Sequence, residues 1–569
     1  MQSLRNLGVI LLDRLRPSAW QRTLVMAGFV GVLGALATLG FRKGLFFIEQ
    51  FLFGRSDGLV HIAAGLTWWE RLASPALGGI VAGLILSQAK RLAGGGSGAD
   101  YMEAIALGDG NLPARVSVLR ALSSAASVTT GGAIGREGPM VQLAALTGSL
   151  IGRWRKAPIP RRRLMVACAA AAGVATAYNA PIAGALFVAE IVLRSLALET
   201  IGALIVAAVA ANVVVVSTVG PEPLYRMPHF VLPGGGPTML VLSALGIVAG
   251  LTAPMYLWVL DRGRDLFSAW RSPLWFKLGL GGLIVGGLSI VTPDVWGNGY
   301  SVVNSVLQGN WVWQMLLLVL LLKIVAVAAS TGSGAVGGIF TPTLFVGAVA
   351  GALCATGLAA VWPGAPPASA TAVVGMGAFL AACTHAPLMS VLMVFEMTEN
   401  YATIVPSMLA CVLGYSIART LRPKSIYPTT PAAALPHAAL AVAADFLRPE
   451  VATVPEGCTL LDVEQAFLRH RWQHLYVVDA KQHFVGAVSL HDVAASLRHP
   501  DIARQTLPSE LLRRDYPRVQ TDTPSWQVLE VFATHPGERL PVLEAGGRLV
   551  GHVTKTDVVM MFRDRLAAD

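Results

Sequence analysis

Charge is scarce in this sequence. Asp, Glu, Lys and Arg make up 13% of its 569 residues, against about 25% in a soluble chain, so water is not the solvent for much of it. Acid is the scarcer sign: 33 Asp and Glu stand against 43 Lys and Arg, a net charge of +10. In a soluble protein that surplus would suggest nucleic acid. With 54% apolar residues and a mean hydropathy of +0.60, it fits instead the Lys and Arg that collect in cytoplasmic loops, and no nucleic-acid partner is expected. Cysteine is nearly missing. Cys168, Cys354, Cys383, Cys411 and Cys458 form no CxxC and no Cys/His cluster, which gives no ground for a disulfide framework or a metal site. No signal-peptide cleavage pattern opens the chain; Leu7–Leu15, interrupted by Asp13 and Arg14, reads as a short interfacial helix.

What the chain has is apolar length. A bilayer core of about 30 Å needs about 20 apolar residues per span. Candidate spans are Leu24–Gly40, Leu72–Leu86, Leu164–Ala177, Ile201–Val219, Met239–Leu257, Phe276–Val291, Trp313–Ala329, Leu344–Val361 and Ile404–Ala418. Others are half-length pieces broken by Gly and Pro, such as Pro181–Leu193 and Pro387–Phe395. Broken helices at membrane depth are tolerated where the freed backbone lines a cavity or site. The basic run Arg153–Lys156 with Arg161–Arg163 reads as a solvated cytoplasmic loop, and Arg419, Arg422 and Lys424 put the C-terminal region on the same side.

The halves repeat. Asn179-Ala180-Pro181 runs to Glu190, and His385-Ala386-Pro387 runs to Glu396 with the same Pro-to-Glu spacing. Glu190 and Glu396 are expected to stabilise helix ends or packing. Two glycine-rich helix starts also correspond: Gly135-Arg136-Glu137-Gly138-Pro139 and Gly337-Gly338-Ile339-Phe340-Thr341-Pro342. Proline suits the first turn of a helix. A helix N-terminus exposes unpaired N–H groups and about half a positive charge. Two such termini can cradle an anion without a trapping Lys or Arg. Past Pro431 an Ala-rich linker leads to Ala444, and a second repeat follows. His474–Val493 and Arg539–Val558 each read as strand, turn, strand and helix entry, with Gly486, Ser489 and Asp492 spaced like Gly551, Thr554 and Asp557.

These motifs, from about Leu24 to the end, resemble the CLC family of chloride channels and transporters followed by a tandem CBS pair. The residues that carry the likeness are Gly96-Ser97-Gly98, GREGP at Gly135–Pro139, GGIFTP at Gly337–Pro342, Asn179-Ala180-Pro181 and the late Tyr427. The resemblance implies a polytopic all-α membrane domain over residues 1–430, with repeated halves and broken helices. A linker at 431–443 and small α/β CBS domains at 444–500 and 501–569 complete the expectation. It implies that Glu137 is the gate, flanked by Gly135, Arg136 and Gly138. It implies that Ser97 and Tyr427 offer hydroxyls to a central chloride, with the amides of Ile339 and Phe340. A homodimer with one pore per subunit, in a bacterial inner membrane with the CBS pair cytoplasmic, belongs to the same expectation. In the CBS pair, Ser489, Asp492, Thr554 and Asp557 can hold an adenine nucleotide; the alternative is a dimerising scaffold. No enzyme activity, metal or resident cofactor is implied.

Two departures stand out. The family's GSGIP is GSGAD here, with Ala99 and Asp100 replacing Ile and Pro. Proton-coupled members carry an internal glutamate where this chain has Ile191. Chloride conduction that is channel-like or weakly proton-coupled is therefore expected. The alternatives are a strictly coupled chloride/proton antiporter and, distantly, a CBS-bearing metal-ion transporter, which would need clustered intramembrane acids as cation ligands.

Overall fold

The computed structural model describes residues 19–93, 100–106, 108–228, 230, 232, 236–309, 311–427, 442–470, 472–496, 510–535, 537–558 and 560. Leu7–Leu15, the Gly96–Gly98 motif with Ser97, and residues 431–441 lie outside them. The chain divides into two compact units, 1–429 and 430–569.

The first unit is helical. Eight of its described helices are long and apolar enough to cross a membrane: Trp20–Phe53, Trp68–Leu92, Thr200–Thr218, Gly236–Ala269, Leu274–Val291, Trp313–Gly332, Phe340–Ala359 and Tyr401–Leu421. They match eight of the nine expected spans. The ninth, Leu164–Ala177, lies in the helix Ile159–Tyr178, which opens on three arginines and is buried in the protein from Met165 to Ala175. Its counterpart Ala368–Thr384 is buried from Ser369 to its end. Both are rich in Ala and Gly, which lets neighbouring backbones approach closely. A Cβ on Gly347 would stand 2.6 Å from the Gly375 carbonyl oxygen, and one on Gly375 would stand 2.5 Å from that of Gly347, so neither site admits a side chain.

The repeat is visible in the backbone. Ile159–Tyr178 ends at Asn179 with φ 54°, and Ala368–Thr384 ends at His385 with φ 59°. Ala180 and Ala386 then take nearly the same non-helical conformation before Pro181 and Pro387 open the next helices. Those helices exchange caps. Glu396 accepts hydrogen bonds from the amides of Ile182 (2.9 Å) and Ala183 (2.7 Å), and Glu190 from those of Leu388 (3.3 Å) and Met389 (2.8 Å). Each carboxylate satisfies the N-terminal amides that the other half's helix leaves free, as the helix-end reading of both glutamates anticipates.

Three local details differ from the sequence reading. Phe187–Leu193 is a π-helical turn, not a continuation of Pro181–Leu186. The arginines of the basic loop are engaged rather than merely solvated. Arg162 Nε donates to the Asp109 carbonyl (2.6 Å), and Arg163 donates to the carbonyls of Ile105 and Ala106, which supplies donors at the C-terminal end of Tyr101–Ala106. Asp100 does not merely replace a proline: its Oδ1 accepts from the Met102 amide (2.9 Å) and caps that helix.

The second unit holds two three-stranded sheets of one design. β1 (Thr453–Pro455) pairs in parallel with β2 (His474–Val478), which pairs antiparallel with β3 (Phe484–Ser489). β4 (Val519–Gln520), β5 (Arg539–Leu543) and β6 (Leu549–Thr554) repeat the order, with the register break at the same place, between Val477 and Val478 and between Val542 and Leu543. Tyr476, Phe484, Tyr516 and Leu543 share one apolar cluster. Each sheet also takes a segment from outside its own repeat: Arg448 bridges His552, and Arg513 bridges Ala487.

Candidate anion site

The two glycine-rich helix starts meet. Gly135 and Gly338 exchange both backbone hydrogen bonds at 2.7 Å, which joins the loops that lead into Glu137–Trp154 and Phe340–Ala359. The caps of these helices, Arg136 (φ −80°, ψ −7°) and Ile339 (φ −102°, ψ 2°), have similar backbones, so the two first turns are built alike. Pro139 and Pro342 lie inside those turns, where no N–H is needed. The amides of Ile339 and Phe340 belong to the set that a helix leaves without internal acceptors.

Glu137 is the first residue of its helix and is 4% exposed. Its carboxylate lies across the glycine pair. A Cβ on Gly135 would collide with Glu137 Oε2, and one on Gly338 would stand 3.4 Å from it. Glycine at 135 is therefore what lets the acid sit there. Oε2 is buried without a hydrogen-bond partner among the described residues. Oε1 accepts from Asn298 Nδ2 (3.1 Å) and Tyr300 Oη (3.2 Å). Gly138 continues the close approach, since a Cβ there would stand 3.2 Å from the Gly338 amide nitrogen. Arg136 turns its guanidinium over the rings of Phe46 and Tyr300, each at 5.8 Å.

An aromatic chain flanks the second start. The Phe340 ring lies 5.0 Å from Tyr178 and 6.1 Å from Phe187, and Phe187 lies 5.7 Å from Tyr427 in an edge-to-face contact. Tyr178 Oη is 3.4 Å from Thr341 Oγ1. The segment before Tyr427 is tied back by the Ile426 amide, which donates to the Cys383 carbonyl at 2.9 Å. Gly135, Glu137, Gly138, Ile339 and Phe340 thus converge on one place. Tyr427 joins through Phe187, and Ser97 lies outside the described residues. Asn298, Tyr300, Tyr178 and Phe187 were not anticipated. They sit in loops and helix ends whose local pattern carries no signal, and only the fold brings them to Glu137 and Phe340. Among the described residues no group of three or more His, Cys, Asp or Glu is placed to hold a metal ion.

In the second unit Asp492 and Asp557 are each engaged by an arginine. Arg513 Nη2 donates to Asp492 Oδ2 at 2.8 Å. Arg448 meets Asp557 through two bonds of 2.6 Å, and Thr554 Oγ1 donates to Asp557 Oδ2 at 2.7 Å. The Arg448 guanidinium, ahead of the Thr554 hydroxyl, holds the Asp557 carboxyl below the usual carboxylate range. Ser489 accepts from the His491 amide at 3.2 Å.

Comparison with known proteins agrees with this architecture. A family model described as "Voltage gated chloride channel" matches residues 78–419, and CBS domain models match 442–499 and 509–564. A "Putative chloride channel protein ClcB-like" of Ralstonia nicotianae is 52% identical over 409 residues, 71% of this chain and 95% of that protein. A "Voltage-gated ClC-type chloride channel ClcB" of Salmonella typhimurium is 42% identical over 415 residues, 71% of this chain and 98% of that protein. Among solved structures, a slow cyanobacterial Cl⁻/H⁺ antiporter is similar with a TM-score of 0.63 and 29% identity, over 71% of this chain and 96% of that one. A eukaryotic CLC transporter shares the fold over 94% of this chain and 98% of that one, with a TM-score of 0.59 and 19% identity. Broken helices joined at a glycine pair over a buried glutamate, followed by two CBS sheets, are thus the parts of a known whole, and the chain belongs to the voltage-gated chloride channel (CLC) family.

Proposed function

We propose that this protein conducts chloride with weak or absent proton exchange, and that Glu137 is its gate. The observation that carries the reading is the Glu137 carboxylate buried across the Gly135–Gly338 pair. There a negative group occupies the place where two helix N-termini favour an anion. An ionised carboxylate mimics and excludes chloride; a protonated or displaced one vacates the site. Ile339 and Phe340 amides, the Tyr427 hydroxyl and Ser97 are proposed as further donors along the path. Ile191 supports weak coupling because it cannot titrate, and an unaided proton in the low-dielectric interior is costly. Glu190, next in sequence, is occupied with the amides of Leu388 and Met389.

A second reading, coupled antiport, is favoured by the likeness to the cyanobacterial Cl⁻/H⁺ antiporter. Proteoliposomes with a chloride gradient and an internal pH dye separate the two. Chloride flux with little proton movement is expected; sustained uphill proton pumping in fixed ratio to chloride establishes antiport instead. A homodimer with one pore per subunit, in a bacterial inner membrane with the CBS pair in the cytoplasm, goes with this reading. An adenine nucleotide at Ser489, Asp492, Thr554 and Asp557 would have to displace Arg513 and Arg448 to reach the aspartates. Calorimetry with ATP, ADP and AMP on residues 430–569 tests it: binding lost in Asp557→Ala supports a nucleotide site, and no heat with any of the three leaves the scaffold role.

A further inference from the structure

Lys323 is the one lysine in the apolar span Trp313–Gly332, and it is fully buried. A cation at that depth is costly and marks function by default. It finds no carboxylate within salt-bridge distance among the described residues. Its Nζ instead donates to the carbonyls of Val295 (2.8 Å), Trp296 (3.4 Å) and Gly297 (2.8 Å). An ammonium has three N–H donors, so three successive carbonyls use all of them, and its charge lies over the Phe345 ring at 5.3 Å. The clamped segment is a tight loop between Leu274–Val291 and Tyr300–Leu307, with Gly297 at φ 62° and Gly299 at φ 94°. Trp296 within it is fully buried. The next residues are Asn298 and Tyr300, the two donors to Glu137 Oε1.

We propose that the loop Val295–Tyr300, clamped by Lys323, is a latch that holds the Glu137 carboxylate closed through Asn298 and Tyr300 and sets the pH at which it opens. The inference rests on Glu137 being the gate. Hydrogen bonds to an ionised acceptor are about twice as strong as those between neutral groups, so both donors favour the carboxylate over the acid. Protonation weakens both bonds at once and frees the side chain. Other groups face Glu137 from the elements around it. Tyr178, Tyr225 and Tyr427 lie within electrostatic range, and Tyr225 packs on Tyr300 with ring centroids 5.7 Å apart. From Ala19–Phe53 come Arg42, over the Phe46 ring, and buried Glu49, which lines a 280 Å³ cavity with Arg136, Asn298 and Tyr300. These charges set a background. Among the described residues, only Asn298 and Tyr300 donate hydrogen bonds from their side chains to the carboxylate.

The test is the pH profile of chloride flux in proteoliposomes of the full chain. Tyr300→Phe keeps the ring against Tyr225 and removes the hydroxyl. Removing a donor that holds the ionised side chain weakens the latch, so half-maximal flux is expected to move to higher pH. Asn298→Asp keeps Oδ1 for the Tyr300 amide, replaces the donor with a second acid, and is expected to move it further. Lys323→Met is expected to shift the profile in the same direction, and if that variant fails to fold the other two decide. In a Glu137→Ala background Tyr300→Phe is expected to do nothing. If Tyr300→Phe and Asn298→Asp leave the profile in place while Glu137→Ala abolishes it, the latch is wrong and the gate stands. If Glu137→Ala itself keeps the wild-type profile, the gate reading fails and the latch falls with it.

Discussion

At the scale of the residue, Glu137 is proposed to stand where a permeating anion would, and truncating it tests that. Glu137→Ala removes the carboxylate and leaves both helix starts and the glycine pair. Chloride flux at neutral pH is expected to rise severalfold and to lose most of its pH dependence, as read by chloride efflux from proteoliposomes at pH 5 and pH 7.5. Unchanged flux with an intact pH response would move the gate elsewhere. Glu137, Gly135 and Phe340 could be named beforehand because the GREGP and GGIF strings occur together in matching repeats as helix starts, and their roles came with the CLC resemblance. Asn298 and Tyr300 could not, being 161 and 163 positions from Glu137 in a loop with no periodic pattern. Lys323 did carry a signal, a single cation inside an apolar run, but its acceptors are backbone carbonyls, which no sequence motif announces.

At the scale of the element, the repeated halves are held by an exchange of caps. Glu396 takes two amides at the start of Pro181–Leu186, and Glu190 takes two at the start of Pro387–Thr398. Removing one acid orphans two amides at a helix start. Hydrogen bonds to a charged group contribute about 1.5–3 kcal/mol each. Glu396→Ala is therefore expected to lower the melting temperature of the detergent-solubilised protein, and Glu396→Gln, whose amide oxygen still accepts, to lower it less. Equal melting for wild type and Glu396→Ala would mean that water replaces the cap. The reciprocal arrangement could be inferred in kind from equal Pro-to-Glu spacing, but not which glutamate serves which helix, since that depends on how the halves pack. Helix interiors were legible wherever apolar length was the signal. Leu164–Ala177, inside the helix Ile159–Tyr178, was among them; the π-turn that interrupts at Phe187–Leu193 was not. Asp100 shows a third limit. The loss of a family proline looks disruptive in a string, yet Asp caps the same short helix by its side chain.

At the scale of the whole molecule, the two units are expected to answer acid for different physical reasons. Curated relatives that match 71% of this chain over 95–98% of their own length are named chloride channels. Residues 1–429 alone are accordingly expected to conduct chloride with the same pH response, and a silent truncated protein would tie conduction to the CBS pair. The second unit has its own sensitivity. Burial, ahead of nearby positive groups, holds His474, His535 and His552 below the usual imidazole range. A histidine whose folded pKa lies below its unfolded value of about 6.5 binds a proton more readily in the unfolded chain. Its contribution to stability is whole above that pH and is lost as pH falls toward the folded value. Asp557 and Asp462 also have lowered folded pKa values, held by hydrogen bonds from Arg448 and Thr459 respectively. Their stabilisation is lost only below about pH 4, the ordinary carboxylate range. Between pH 7 and pH 5 the three histidines therefore act, and the two aspartates do not. Purified residues 430–569 are expected to melt at a lower temperature at pH 5 than at pH 7, and His552→Gln, which packs on Trp472 but cannot titrate, is expected to reduce the difference. Identical melting at the two pH values would mean that the imidazoles reach water before the sheets open.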